Sequence, residues 1–462
     1  MLDGRFSNVP HVPRVEALGD APGMVENPIA VFERYRAALG PTWSFHFGGA
    51  RRAIVTTKPA LIEALLTARK DRYFKSDIQV KYMVEFQGEG LVNLHGDAWH
   101  RQRQVVAKGF QPSRLNATLP IQREVLQELL VAFDEDVSRG TVDVYAQMVR
   151  LTLGMVGTSI FGRAMTEREL TQIGHAITEI QSFIVRKIVH PYLIPWYRIS
   201  GQDEKYQALR READAVVLAH LHSRRSEGPG ALDLLRLLME TPYRDTGEAM
   251  SVEQVKVEAL QLLVAGNETS SNALTWVVSL LARHPEHRAR VRDEVREVFG
   301  ARPIDAEGLL RLEHTTKVLF EALRLYPPFW MIDRIARDDD ELDGVHVPRG
   351  TLVIPYLYGL HRNTDHWSSP ETFDPARFDV DARASRHRFA YAPFGGGPRI
   401  CVGNNMAVNQ ILLVLATLIR RYDWHADDAM PAIQPMMLLR PQGGVPLHFT
   451  RLEAHDAVRP EA

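Results

Sequence analysis

Across residues 252–282 the chain keeps one helical apolar pattern, opened by the capping-box signature Ser251-Val-Glu-Gln254 and stopped by His284-Pro285. At 1.5 Å per residue that helix runs roughly 50 Å, enough to cross a whole domain, so the fold has to be arranged around it. The rest of the chain agrees with a mainly helical protein. Asn27-Pro28 reads as an N-cap followed by proline at the first helical position, opening a helix through Ala38. WSFHF, a GGA turn and RRAIVT alternate as a hairpin over residues 43–56. From about residue 58 to about residue 299 the pattern is overwhelmingly helical, and a further helix ends at Tyr326-Pro327-Pro328. ELDGVHVPRGTLVIPYL then offers a D-G turn between short β-branched runs, which predicts a small sheet. Residues 363–393, dense in Pro, Asp, Arg and aromatics, read as a long irregular connection. A final helix begins near Gly403, and PQGGVPLHF reads as another small hairpin.

The expectation is one large domain over residues 1–462, mainly α with minor β: a long central helix plus small β-sheets. Its β-rich parts fall at about 40–60 and 335–360, and its helical parts at about 60–330 and 403–422. A net charge of -2 points away from nucleic acid. MLDGRFSNVPHVPRVEALGD has no apolar run fit for a signal peptide or an anchor. The longest apolar stretch, ILLVLATLI from Ile411, is about half of the roughly 20 residues that span a bilayer. A soluble, cytoplasmic protein without a transmembrane anchor is expected.

The chain's single cysteine lies in FGGGPRICVG, residues 394–403. One thiol excludes an intramolecular disulfide and a zinc site built of several thiolates. Cys401 falls at or just before a helix N-terminus, whose positive end favours a thiolate, with Arg399 beside it. Such a sulfur can be a nucleophile, a redox sensor, a metal ligand or simply a small buried hydrophobe. A phosphate loop is disfavoured because GGGPR lacks the Gly-Lys-Ser/Thr ending. The three glycines allow close approach of a flat ligand.

Phe394, Gly397, Arg399, Cys401, Gly403 and Ala407 resemble the F-x-x-G-x-R-x-C-x-G haem loop of the cytochrome P-450 superfamily. By that resemblance Cys401 is the proximal ligand of the iron of haem b, iron protoporphyrin IX. Ala265-Gly266-Asn267-Glu268-Thr269, midway along the long helix, resembles the family's oxygen-activation motif. Ala265 and Thr269 share a face, Gly266 removes bulk, and the threonine hydroxyl can bond back to the carbonyl four residues earlier. Proton relay would fall to Glu268 and Thr269, with Leu262, Ala265 and Gly266 as a ceiling. Glu321-Ala-Leu-Arg324, followed by Phe373-Asp-Pro-Ala-Arg377-Phe378, resembles the Glu-Arg-Arg triad, Arg377 bridging Glu321 and Arg324. The pair alone means little, since Glu33-Arg-Tyr-Arg36 fits the same spacing. Trp99-His-Arg-Gln-Arg103 completes the set: by resemblance Trp99, Arg103, Arg334 and Arg399 hold the haem propionates, while Arg101 and Lys108 face outward toward an acidic electron donor.

The resemblance therefore implies a haem-thiolate monooxygenase that hydroxylates an apolar substrate or epoxidises a C=C bond with dioxygen. Electrons would come from a separate ferredoxin or flavodoxin with its reductase, or a flavoprotein reductase, so that NAD(P)H serves only indirectly. Phe329, Trp330, Met331 and Ile332 are expected to turn toward the haem and shape the pocket. Plain core packing is the alternative for these four. SFIVRKIVHPYLIPWY, residues 182–197, is expected to form a mobile lid, or else to touch a membrane or partner. A peroxygenase or hydroperoxide isomerase of the same fold, or a haem sensor without catalysis, are the rival functions.

Overall fold

The computed structural model describes residues 5–226, 233–427 and 429–453, apart from the side chains of Ile78 and Gln79; the first four residues of the N-terminal stretch lie outside that set. The principal helices are α1 (Pro28–Leu39), α2 (Pro59–Leu66), α3 (Asp77–Gln87), α4 (Gly96–Gly109), α5 (Pro112–Ser138) and α6 (Val144–Phe161). They continue as α7 (Glu167–Val189), α8 (Gln202–Ser226), α9 (Val252–Arg283), α10 (Pro285–Phe299), α11 (Glu313–Leu325) and α12 (Asn404–Arg421). The strands are β1 (Thr42–Phe47), β2 (Arg51–Thr56), β3 (Tyr73–Phe74), β4 (Val142–Asp143), β5 (Arg334–Ala336) and β6 (Asp340–Leu342). After them come β7 (Val345–Val347), β8 (Leu352–Pro355), β9 (Tyr422–His425), β10 (Ile433–Pro435), β11 (Leu439–Pro441) and β12 (Pro446–Arg451). Chain contacts divide these elements into two units, each assembled from separate stretches of sequence.

The first unit comprises Met1–Lys81, Phe320–Cys401 and Ile433–Arg440. Its sheet has the order β1-β2-β8-β5-β3. The β1–β2 hairpin is the one expected, and Gly48 and Gly49 take the positive φ of its turn. β8 then pairs parallel with β2, Ala53 opposite Leu352 through Thr56 opposite Pro355. Each residue of β8 is buried, as suits a strand covered on both faces. β6 and β7 form a separate hairpin around Asp343 and Gly344, both at positive φ. One apolar cluster sets Phe32 edge-on to Trp43, Phe45, Trp330 and Tyr356.

The second unit comprises Tyr82–Leu319, Val402–Ala432 and Pro441–Ala462. Its spine is α9, which is buried over most of its length, polar residues such as Glu258, Gln261 and Asn272 included. The Ser251 hydroxyl accepts from the Gln254 N–H. The other half of the expected capping box is not made. Gln254 instead donates its amide to the Glu89 carbonyl (3.0 Å) and to Glu258 (3.2 Å). In the second half of the helix Thr275 and Ser279 return their hydroxyls to carbonyls four residues back, at 2.7 Å each, so buried polar groups are satisfied without outside partners. PQGGVPLHF is not a hairpin. β11 pairs with β10, whereas β12 lies between β4 and β9. Gly443 and Gly444 provide a turn that sends the chain from one pairing to the other.

Candidate functional site

In the first unit the cysteine loop closes on itself. The Cys401 N–H donates to the Phe394 carbonyl at 3.0 Å and the Ile400 N–H to the Gly397 carbonyl at 3.1 Å. Gly397 holds φ at 64°, and a Cβ there would fall inside the van der Waals shell of the Leu66 carbonyl oxygen at the end of α2. A Cβ on Gly396 would strike the Phe389 ring. These two glycines, expected to clear a flat ligand, clear protein neighbours. Gly395, at φ 72°, alone of the three faces open space. The Cys401 side chain is exposed, three residues before the first residue of α12.

Positive charge collects in the same unit. Burial, with Arg334 and Arg399 close by, pushes the Lys75 amine down to about 7, against the upward pull of Asp333. Burial likewise lowers the Arg334 guanidinium, again opposed by Asp333. Asp333 accepts from the Ser76 hydroxyl. Lys75, Arg334 and Arg399 lie near one another and near Asp333, and donors of this kind suit a ligand that brings its own carboxylates, as the two propionates of haem would. The sequence suggested Arg334 and Arg399. It gave no hint of Lys75, because a lone lysine between a short strand and a helix has no pattern to mark it.

The triad residues meet, with a different member at the centre. Arg324 grips Glu321 by two bonds of 2.7 Å, and both side chains are fully buried. Its remaining N–H groups reach the carbonyls of His361 (2.9 Å), Pro370 (2.6 Å) and Thr372 (3.1 Å). Arg377 stands 3.4 Å from Glu321 and donates to the Ser369 carbonyl at 3.0 Å. The carboxylate, not Arg377, is thus the shared element, as two guanidiniums cannot hydrogen-bond each other. Buried His361 accepts the Ala392 N–H at 3.0 Å, tying this assembly to the approach to the cysteine loop. Of the expected pocket residues, Trp330 is core: it is 3% exposed and its indole N–H bonds the Met436 carbonyl at 2.9 Å. Met331 packs against the same cluster, Ile332 against a second one, and Phe329 is exposed.

In the second unit the middle of α9 changes character. Ala265 is exposed, and Val264, Gly266 and Thr269 are half-buried, within a helix otherwise enclosed. The Thr269 hydroxyl donates to the Ala265 carbonyl at 2.7 Å, the back-bond expected from the spacing. Gly266 has a different job from the one expected. A Cβ there would lie 3.0 Å from Val156, so the glycine lets α9 pack against α6. Glu268 and Leu262 are buried, and Asn267 accepts the Thr152 hydroxyl at 2.6 Å.

On α4, Trp99 is buried and Arg103 half-buried. Arg101 is exposed, facing outward as expected, and paired with Asp245 at 2.8 Å, while Lys108 is half-buried. The segment leading into α4 is stapled to α9. Glu258 accepts the Leu91 N–H (2.9 Å) and the Gln102 amide (2.6 Å). Gln261 accepts the Val92 N–H (3.1 Å) and donates to the Gly88 carbonyl (2.9 Å). Neither side chain stood out in the sequence, where both read as ordinary members of a helix.

Among the described residues no helix is long and apolar enough to cross a membrane. The sequence model of the family described as Cytochrome P-450 matches residues 10–449. Relatives include cytochrome P-450 734A1 of Arabidopsis thaliana, 29% identical over 93% of this chain and 84% of its own length. Cytochrome P-450 734A5 of Oryza sativa subsp. japonica is 30% identical over 92% and 82%, and cytochrome P-450 4F3 of Rattus norvegicus 28% over 86% and 79%. Among solved structures, the haem domain of cytochrome P-450DA is similar in fold, with a TM-score of 0.84 and 22% identity over 97% of this chain and 98% of that one. The chain belongs to the cytochrome P-450 family, the haem-thiolate monooxygenases.

Proposed function

We propose that the enzyme hydroxylates an apolar organic substrate, or epoxidises its C=C bond, with electrons delivered by a separate protein such as a ferredoxin or a flavoprotein reductase. Cys401 would hold the iron of haem b through its thiolate. Phe394, Gly397 and Gly403 keep its loop in shape, and Trp99, Arg103, Arg334 and Arg399, joined by Lys75, hold the propionates. When bound, the haem supplies the activation of dioxygen and the insertion of one oxygen atom. The protein's part is placement and proton supply. The Thr269 hydroxyl hydrogen is held by the Ala265 carbonyl, which leaves the oxygen's lone pairs to accept a proton or orient water. Glu268, buried next to it in sequence, supplies that proton. A peroxide-driven reading has no use for this pair.

The observation that carries the proposal is the proximity of Lys75, Arg334 and Arg399 in the unit that also holds the accessible Cys401 thiol. Reduced protein under carbon monoxide should give the Soret band diagnostic of sulfur ligation, and Cys401→Ser should abolish it. A band unchanged by that substitution would overturn the assignment.

A further inference from the structure

We propose that His361 is a positioning residue for the thiolate: through its Nε2 it holds the stem of the loop that carries the Cys401 sulfur. The inference rests on the haem-thiolate reading above and deepens it. The loop hangs from Ala392, which is itself buried. The Ala392 N–H donates to His361 Nε2 at 3.0 Å, while its carbonyl accepts the Gly395 N–H at 3.0 Å and so closes the turn that opens the loop. Inside that turn lies Phe394, whose carbonyl accepts the Cys401 N–H at 3.0 Å. The peptide that fixes the backbone of the cysteine is thus two residues from the one that His361 holds. A tilt of the Ala392 peptide reaches Cys401 through two hydrogen bonds.

His361 is in turn fixed from below. Its own carbonyl accepts Arg324 Nη1 at 2.9 Å, and Arg324 grips Glu321, so the imidazole stands on the buried clasp of α11. Tyr391, the residue before Ala392, donates its hydroxyl to the Phe320 carbonyl at 2.9 Å, also on α11. Two adjacent residues of the stem are therefore tied to one helix, Tyr391 directly and Ala392 through His361. The ring carries a cost that points to its purpose. With Nε2 accepting, the neutral imidazole keeps its hydrogen on Nδ1, and Nδ1 has no hydrogen-bond partner among the described residues. His361 is fully buried, and a buried donor left unmatched is destabilising. A leucine would not carry that burden, so the bond on the other nitrogen is what accounts for the histidine. Burial, with Arg324 and Arg362 close by, holds the imidazole down at about 3, which keeps Nε2 an acceptor at neutral pH.

The test uses holoenzyme, reduced under carbon monoxide in mild denaturant, and reads how fast the sulfur-ligated Soret band is lost. His361→Leu trades one unmatched N–H for another, so its melting temperature should change little while the band is lost about ten-fold or more faster. His361→Gln places its side-chain oxygen where Nε2 stood and should bring the rate back close to that of the wild type. His361→Asn places its oxygen where Nδ1 stood and should not. A wild-type rate in His361→Leu, or equal rates in the glutamine and asparagine variants, would overturn the proposal. If the leucine variant does not fold, the other two decide the matter between them. Absence of the band in the wild type is failure of the haem-thiolate assignment, whereas a band present in the wild type and indifferent to these substitutions is failure of the His361 role alone.

Discussion

Glu258 is fully buried and gathers three donors, Gln102, Leu91 and Gln254, on one carboxylate oxygen, while its Oε2 has no hydrogen-bond partner among the described residues. Burial pushes its carboxyl from 4.5 up to about 7, against the lowering effect of those hydrogen bonds. A raised acid favours folding while protonated. The contribution is full below about pH 4.5 and is lost as pH rises through about 7, by about 3 kcal/mol over the interval. Glu258→Gln cannot ionise. Its melting temperature minus that of the wild type should therefore increase from about pH 5 to about pH 8. A difference that stays flat would show that the carboxyl titrates in its ordinary range. At this scale the sequence was informative where chemistry needs a rare residue, as at Cys401, and silent where a common residue owes its role to burial. Lys75 and Glu258 are of the second kind. Gly266 and Gly397 were visible as glycines, but the neighbours they accommodate, Val156 and the Leu66 carbonyl, lie more than a hundred residues away in sequence.

The elements were legible wherever local pattern decides them. The cap at Asn27, the hairpin of β1 and β2 and the ends of α9 follow from turn chemistry and apolar period, and all three are present. PQGGVPLHF failed because two short runs around a Gly-Gly turn are equally good edges for strands elsewhere, and β9 and β10 claimed them. Trp330 failed as a pocket residue for a related reason. An aromatic and aliphatic run cannot announce whether it faces a ligand or a core, and the indole N–H of Trp330 found a backbone carbonyl. The clasp at the end of α11 makes a graded prediction. Arg324→Ala would strip a fully buried carboxylate of its bidentate partner and leave three carbonyls without their donor, a loss of about 3–5 kcal/mol or more. Arg377→Ala leaves that grip intact and should cost about 1 kcal/mol. Thermal melts of the two variants test the order; equal losses would mean that Arg377 matters as much as Arg324.

At the scale of the molecule, a mainly helical fold around one long helix was readable, whereas the division into two discontinuous units was not. Each unit is assembled from three separate stretches of sequence, and no composition shift marks the seams. The partner of β2 is the plainest case. β8 is an ordinary apolar run in the sequence, and nothing local says that it lies parallel to a strand some 300 residues earlier. That pairing has a consequence in time. At roughly 5–20 residues per second, the ribosome takes about 15 to 60 s to travel from β2 to β8. Throughout that interval the N-terminal hairpin has one edge with nothing to bond. Ribosome-stalled chains ending near residue 330 should leave the hairpin open to protease, and chains ending near residue 440 should protect it; equal protection would show that the edge is covered earlier by something else. The newborn chain thus waits, half-stitched, for a thread spun long after the cloth it must join.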